Sequence, residues 1–219
     1  MRDRRGYDEK LDRILKAATA AFAEKGYHQA SIRDISAATE VSLSGLYYYF
    51  RSKEDLLFLI QEHCFRTLVQ EARRIAAYDH PPRVRLGCLV RAHLDFFLNN
   101  TKEMKVLSHE SDVLTGEYAR KVSALKREYV GIVSGTLEEL SPGSGGADVR
   151  VATMALFGMM NWIYTWYRPD RDPGVEELSE QILHIFLSGF LAEPVSRSGL
   201  GAGDGETPRI ETSSIWRRP

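Results

Sequence analysis

Cysteine is scarce in this chain of 219 residues: there are two, Cys64 and Cys88, each set among apolar neighbours. That excludes a disulfide framework and leads us to expect two buried thiols. No apolar run reaches the ~20 residues that a membrane-crossing helix requires. The opening stretch MRDRRGYDEK is charged and lacks the apolar segment of a secretory signal. The expected location is therefore the cytoplasm, with no membrane partner. Strand signals are also missing, with no sustained alternation and no Asn-Gly or Asp-Gly hairpin. An enzyme reading finds little to stand on. His93 with Asp95, or His109 with Glu110 and Asp112, could be imagined as a cluster, but neither spacing matches a metal site or a base–nucleophile pair. No cofactor and no metal are expected.

A large charge excess is absent too, the formal net charge being −1. Its distribution is less even. Residues 1–53 hold ten Lys or Arg against seven Asp or Glu, and residues 54–219 hold nineteen against twenty-three. A basic front on an acidic body hints at a polyanion partner for the front.

What is present reads as helix throughout. Leu11, Ile14, Leu15, Ala18 and Phe22 recur at helical spacing from Asp8 to Lys25, and Gly26 stops the helix. Ser31 caps a short helix with Asp34 three residues on, close to a capping box. Ser42 caps a second short helix running to Phe50, and Ser52 a long one reaching about Tyr78. After the break DHPPR, helices are expected from Val84 to Asn99, Lys102 to His109 and Glu117 to Leu140. The loop SPGSGGAD follows. Asp148 then caps a helix from Val149 to Tyr167 that is apolar almost all round, and a last helix covers Val175 to Leu191. The composition after Pro194 reads as a disordered tail.

Short helix, three-residue turn and short helix make a helix-turn-helix. In it, Ala37 and Ala38 allow close approach, Val41 and Leu46 pin the second helix, and Leu46, Tyr49 and Phe50 face inward. The outward face then carries Leu43, Ser44, Gly45, Tyr47 and Tyr48, with Ser42 at the helix start. Small residues at the N-terminal end of such a helix let it reach base edges in the major groove. Leu43 suits a thymine methyl, while the tyrosine hydroxyls, Ser31, Arg33 and Lys53 suit phosphate oxygens. The competing reading makes the tyrosines packing residues, which fits Tyr49 best.

The stretch ILKAATAAFAEKGYHQASIRDISAATEVSLSGLYYYFRSKEDLL closely resembles the DNA-binding domain of the TetR (tetracycline repressor) family, without a gap from Asp8 to Leu68. The resemblance implies an all-α protein with three parts. They are a DNA reader at 8–68, a ligand-binding and dimerisation domain at 69–193, and a tail at 194–219. It also implies a homodimeric transcriptional regulator, most often a repressor released from double-stranded operator DNA by a small hydrophobic effector. NWIYTWYRPD resembles members that regulate fatty-acid or sterol breakdown, so a fatty-acyl-CoA is the effector this implies. Two departures stand out. Glu40 occupies a turn position where the family usually has Gly, at a cost of about 1 kcal/mol if φ is positive. Leu43 stands where the family often has Lys. A helical ligand-binding protein or an activator with altered DNA recognition stays open beside the repressor.

Helices too apolar for one buried face must be covered, so the last two are the expected dimer interface, with a monomer core as the alternative. A mostly apolar pocket lined by His93, Phe97, Tyr129, Asn161, Trp162 and Trp166 is expected between the middle helices. Plain core packing is the competing account of each residue. Arg168 could equally cap the end of its own helix.

Overall fold

The computed structural model describes residues 2–110, 112–140 and 148–191, so the expected tail lies outside the described residues. Among the latter the chain is helical throughout, as expected. The helices are α1 (Arg2–Lys25), α2 (Ile32–Thr39), α3 (Leu43–Leu46), α4 (Lys53–Ala76), α5 (Pro82–Asn99), α6 (Thr101–His109), α7 (Gly116–Leu140), α8 (Val149–Asn161) and α9 (Val175–Phe190).

Capping residues set the boundaries. Gly26 (φ 79°) takes the left-handed conformation that ends α1. The Ser31 hydroxyl and the Asp34 carboxylate complete a reciprocal capping box at α2. The Ser52 hydroxyl accepts the Asp55 N–H at the start of α4, and Asp148 does the same for Arg150 and Val151 at α8.

Two apolar cores result. The first gathers Ile14, Ala18 and Phe22 of α1 with Ile35, Leu46, Phe50, Leu56 and Leu57. The second gathers Leu68, Ala72, Leu94, Val133, Leu137, Leu156 and Phe186 from α4, α5, α7, α8 and α9. Helix α4 contributes to both. Its first turns close the small N-terminal core and its later turns pack along α7 and α5. Burying each Leu or Ile side chain contributes roughly 1.5–3 kcal/mol before chain entropy is counted.

Two helices are shorter than the periodicity suggested. The helix expected over 42–50 has regular form only at Leu43–Leu46, then tightens: the Tyr49 N–H donates to the Leu46 carbonyl at 2.9 Å. The helix expected over 149–167 ends at Asn161 and passes into a 3-10 turn, Trp162–Thr165. Aromatic and β-branched residues hold an α-helix poorly, and the Thr165 hydroxyl donates to the Trp162 carbonyl instead. Pro169 prevents any resumption.

Candidate nucleic-acid interface and effector chamber

The turn between α2 and α3 is built around Glu40, whose φ of 57° and ψ of 23° are left-handed. The turn thus keeps the geometry that glycine would adopt freely. The Ser36 hydroxyl donates to the Val41 carbonyl at 2.6 Å and locks the two helices together. Gly45 is closely packed: a Cβ there would sit 3.0 Å from Val41 Cγ1 and 3.2 Å from Ser42 Oγ, and those side chains would have to give way. Leu46 and Phe50 are buried beneath α3, as expected, and Tyr49 is half-buried with its ring stacked on Tyr7 at 4.8 Å. Leu43, Tyr47 and Tyr48 lie outside, the last 75% exposed. Large aromatics left this bare on the end of a helix form a surface that packing does not account for.

The other residues expected at this surface divide into two groups. Ser44 and Arg33 are exposed. The hydroxyls of Ser31 and Ser42 serve their own helix starts, Ser42 accepting the Gly45 N–H at 3.1 Å. Lys53 is turned away from the outward face. Its ammonium donates to the carbonyls of Tyr27, His28 and Ala30 at 2.8, 3.2 and 3.1 Å, and lies 4.5 Å from the Tyr27 ring centre. An ammonium has three protons, and all are used by the loop that leads into α2. Lys25 and Asp34 pair at 2.8 Å across α1 and α2. Hydrogen bonds from Lys25 and Ser31 hold the Asp34 carboxyl well below the usual range.

A chamber of about 280 Å³ opens between α4, α5, α6, α7 and α8. Four of the expected pocket residues meet there: His93, Phe97, Tyr129 and Asn161. His93 is buried, with Nδ1 3.0 Å from the Tyr129 hydroxyl and Nε2 3.1 Å from Asn161 Oδ1. One tautomer satisfies both contacts: Nε2–H donates to the amide oxygen, and the tyrosine hydroxyl donates to Nδ1. Burial pushes the imidazole pKa down to about 3, so the ring is neutral at physiological pH. Burial likewise raises the Tyr129 phenol and pushes the Cys64 thiol up to about 12.

Trp162 and Trp166 are not part of the chamber. They are 65% and 45% exposed. The 3-10 turn rotates them outward and puts Ile163 into the core instead. Phe157, Met104, Leu107 and Lys126 line the chamber and were not singled out from the sequence. A larger cleft of about 780 Å³ runs between α4, α5 and the start of α9, and the chamber shares Leu68 and Tyr129 with it.

Polar contacts join the chamber's floor to the N-terminal core. Met104, Leu107 and Ser108 of α6 line the chamber, and at the end of α6 the buried Glu110 carboxylate accepts the Tyr27 N–H at 2.9 Å. The Gln61 amide donates to the Glu110 carbonyl at 3.0 Å. Glu54 accepts the N–H and hydroxyl of Thr115, and the Tyr118 hydroxyl donates to Asp55 at 2.8 Å. The sequence offered Glu110 only as a possible cluster member beside His109 and Asp112, and its burial was not legible there.

Comparison with known proteins adds to this geometry. Residues 14–60 match the family of bacterial regulatory proteins, tetR family, and residues 79–190 match the tetracyclin repressor-like C-terminal domain. The fatty acid metabolism regulator protein of Bacillus subtilis (strain 168) is 25% identical over 185 residues, spanning 83% of this chain and 95% of that protein. A TetR-family transcriptional regulator from Bordetella parapertussis superposes with a TM-score of 0.77 at 31% identity, covering 85% of this chain and 98% of that one. AibR in complex with isovaleryl coenzyme A and operator DNA superposes with a TM-score of 0.73 at 26% identity, covering 80% of this chain and 97% of that one.

Proposed function

The chain belongs to the tetR family of bacterial regulatory proteins, and from that premise we propose that it is a dimeric repressor released from operator DNA by a short or medium-chain acyl-CoA. The observation that carries the DNA half is the outward face of the second short helix. Leu43, Ser44, Tyr47 and Tyr48 stand in solvent while Leu46 and Phe50 anchor the same turn from below. Tyr47, Tyr48 and the exposed Arg33 suit phosphate oxygens, and Leu43 and Ser44 suit base edges. Ser31, Ser42, Gly45 and Lys53 act indirectly, by fixing the two helices.

A reader of palindromic sites needs two copies with half-sites about 34–36 Å apart or a multiple of that. The unpaired faces of α8 and α9 supply the pairing surface. Val151 and Met154 on α8 and Ile185 on α9 are apolar and exposed, and Gly158 leaves room for close approach.

The acyl thioester is supported by the small apolar chamber and by the isovaleryl coenzyme A held by AibR. At about 280 Å³ the chamber lies at the low end for ligand pockets, which favours a short or medium chain over a long one. Release follows from a physical connection. An occupant pressing on Met104 and Leu107 displaces α6, whose last turn grips the Tyr27 N–H through Glu110. Coupling of this kind requires the effector to bind the DNA-incompetent arrangement more tightly than the competent one.

A gel-shift titration on DNA flanking the gene tests both halves. Isovaleryl-CoA or octanoyl-CoA is expected to release the wild-type protein, and Tyr47→Ala to bind DNA weakly while melting normally. Full retention on DNA at saturating thioester would reject the effector class. Unchanged DNA affinity in Tyr47→Ala would reject the orientation of the helix.

A further inference from the structure

One cation sits where an apolar chamber should have none. Lys126, on α7 one turn before Tyr129, lines the same space as Phe65, Met104, Leu107 and Phe157. Its ammonium lies 5.2 Å from the centre of the Phe65 ring. Among the described residues no carboxylate comes within ion-pair distance of it, whereas Lys16, Lys25 and Lys121 each have one. The group is partly buried, and that burial lowers its pKa against a weaker opposing pull from Asp112. A partly desolvated ammonium with a ring beside it, and no carboxylate within ion-pair distance among the described residues, is an incomplete arrangement, because a buried charge is normally paired. Ser108 near the end of α6 also lines the chamber, as do the paired His93 and Asn161.

Resting on the effector reading of the chamber, we infer that Lys126 seats an anionic oxygen group carried by the effector's apolar chain. The chain lies along Phe65, Leu107 and Met104 toward Phe97 and Phe157. The anion completes the pairing that the protein leaves open. A free carboxylate and the phosphates of a coenzyme A thioester share this chemistry.

Calorimetric titration of the full chain separates the possibilities. Octanoate and 1-octanol differ in the charged head on a similar chain. Wild-type protein is expected to bind octanoate about tenfold more tightly than octanol, the scale of one hydrogen bond to a charged group. Lys126→Met, which keeps the stem, should bring the two together, and Lys126→Arg should keep the preference. Should octanoyl-CoA lose affinity in Lys126→Met by a similar factor, the thioester's own anion reaches Lys126. Loss confined to octanoate assigns the seat to a carboxylate. A preference that survives Lys126→Met, equal binding by wild type, or no binding of either compound overturns the inference. Failure of octanoyl-CoA to release DNA, with the octanoate preference present and lost in Lys126→Met, would sink the thioester reading alone.

Discussion

Replacing Lys53 with methionine separates two roles that a lysine at this position could play. Its ammonium donates to three carbonyls, those of Tyr27, His28 and Ala30, and lies over the Tyr27 ring. Methionine keeps most of the apolar stem and removes every donor. Hydrogen bonds from a charged donor contribute about 1.5–3 kcal/mol each in favourable settings, but one half-exposed cation shared among three acceptors yields less than their sum. We expect a loss of about 2–3 kcal/mol, dominated by the two partly buried carbonyls. In a protein of this size that lowers the thermal midpoint by roughly 4–12 °C, read by circular dichroism and checked by urea titration. The second readout is the salt dependence of operator affinity. Each phosphate contact contributes about 0.9 to the slope of log K against log salt. With all its protons used inside the protein, Lys53 should contribute nothing, and the slope should not change. A variant that melts like wild type but loses about one unit of slope would refute the reasoning, because Lys53 would then be holding a phosphate.

Glu40→Gly should stabilise the protein by up to about 1 kcal/mol, since relief of a left-handed glutamate is partly offset by the freedom of glycine in the unfolded chain; a lower urea midpoint would contradict this. His93 ties stability to pH. Its folded-state pKa is lowered to about 3 from 6.5, so the unfolded chain binds the proton first. The contribution is therefore complete above pH 6.5 and is lost as pH falls toward 3, with a limiting slope of about 1.4 kcal/mol per pH unit. His93→Gln should flatten that part of the stability profile, and an unaltered profile would show that His93 is not its source. Ile185→Glu should leave helicity intact while shifting sedimentation from dimer to monomer, because Ile185 is 63% exposed in the single chain; a persistent dimer would move the interface away from α9.

The helix-turn-helix was legible because its parts are local. Caps at Ser31, Ser42 and Ser52, the inward Leu46 and Phe50, and the outward tyrosines are set by neighbours within a few residues. The chamber was half legible: His93, Phe97, Tyr129 and Asn161 converge from three helices as the apolar pattern implied. The tryptophans misled because periodicity cannot announce where an α-helix tightens, and one changed turn swings Trp162 and Trp166 to the surface. Lys53 misled for a different reason. Chemically it suits phosphate and carbonyl oxygens equally, and its choice depends on a loop 23–26 residues earlier in the chain. Lys126 escaped notice, and Glu110 was weighed only as a member of a cluster with His109 and Asp112, because burial of a charged residue is a property of the assembled helices.

Helix α4 belongs to both cores, and the division expected after Leu68 falls inside it. The first family match ends at residue 60, inside α4, and the second begins at residue 79, after it. A cut at the expected division would therefore pass through α4 and remove part of what both cores share. A fragment ending at Leu68 would carry only the first two thirds of α4, whose later turns have lost their neighbours. A graft of this reader onto another sensor would have to bring the whole of α4 and a matching partner for α7, and the intact chain should melt in one step rather than two.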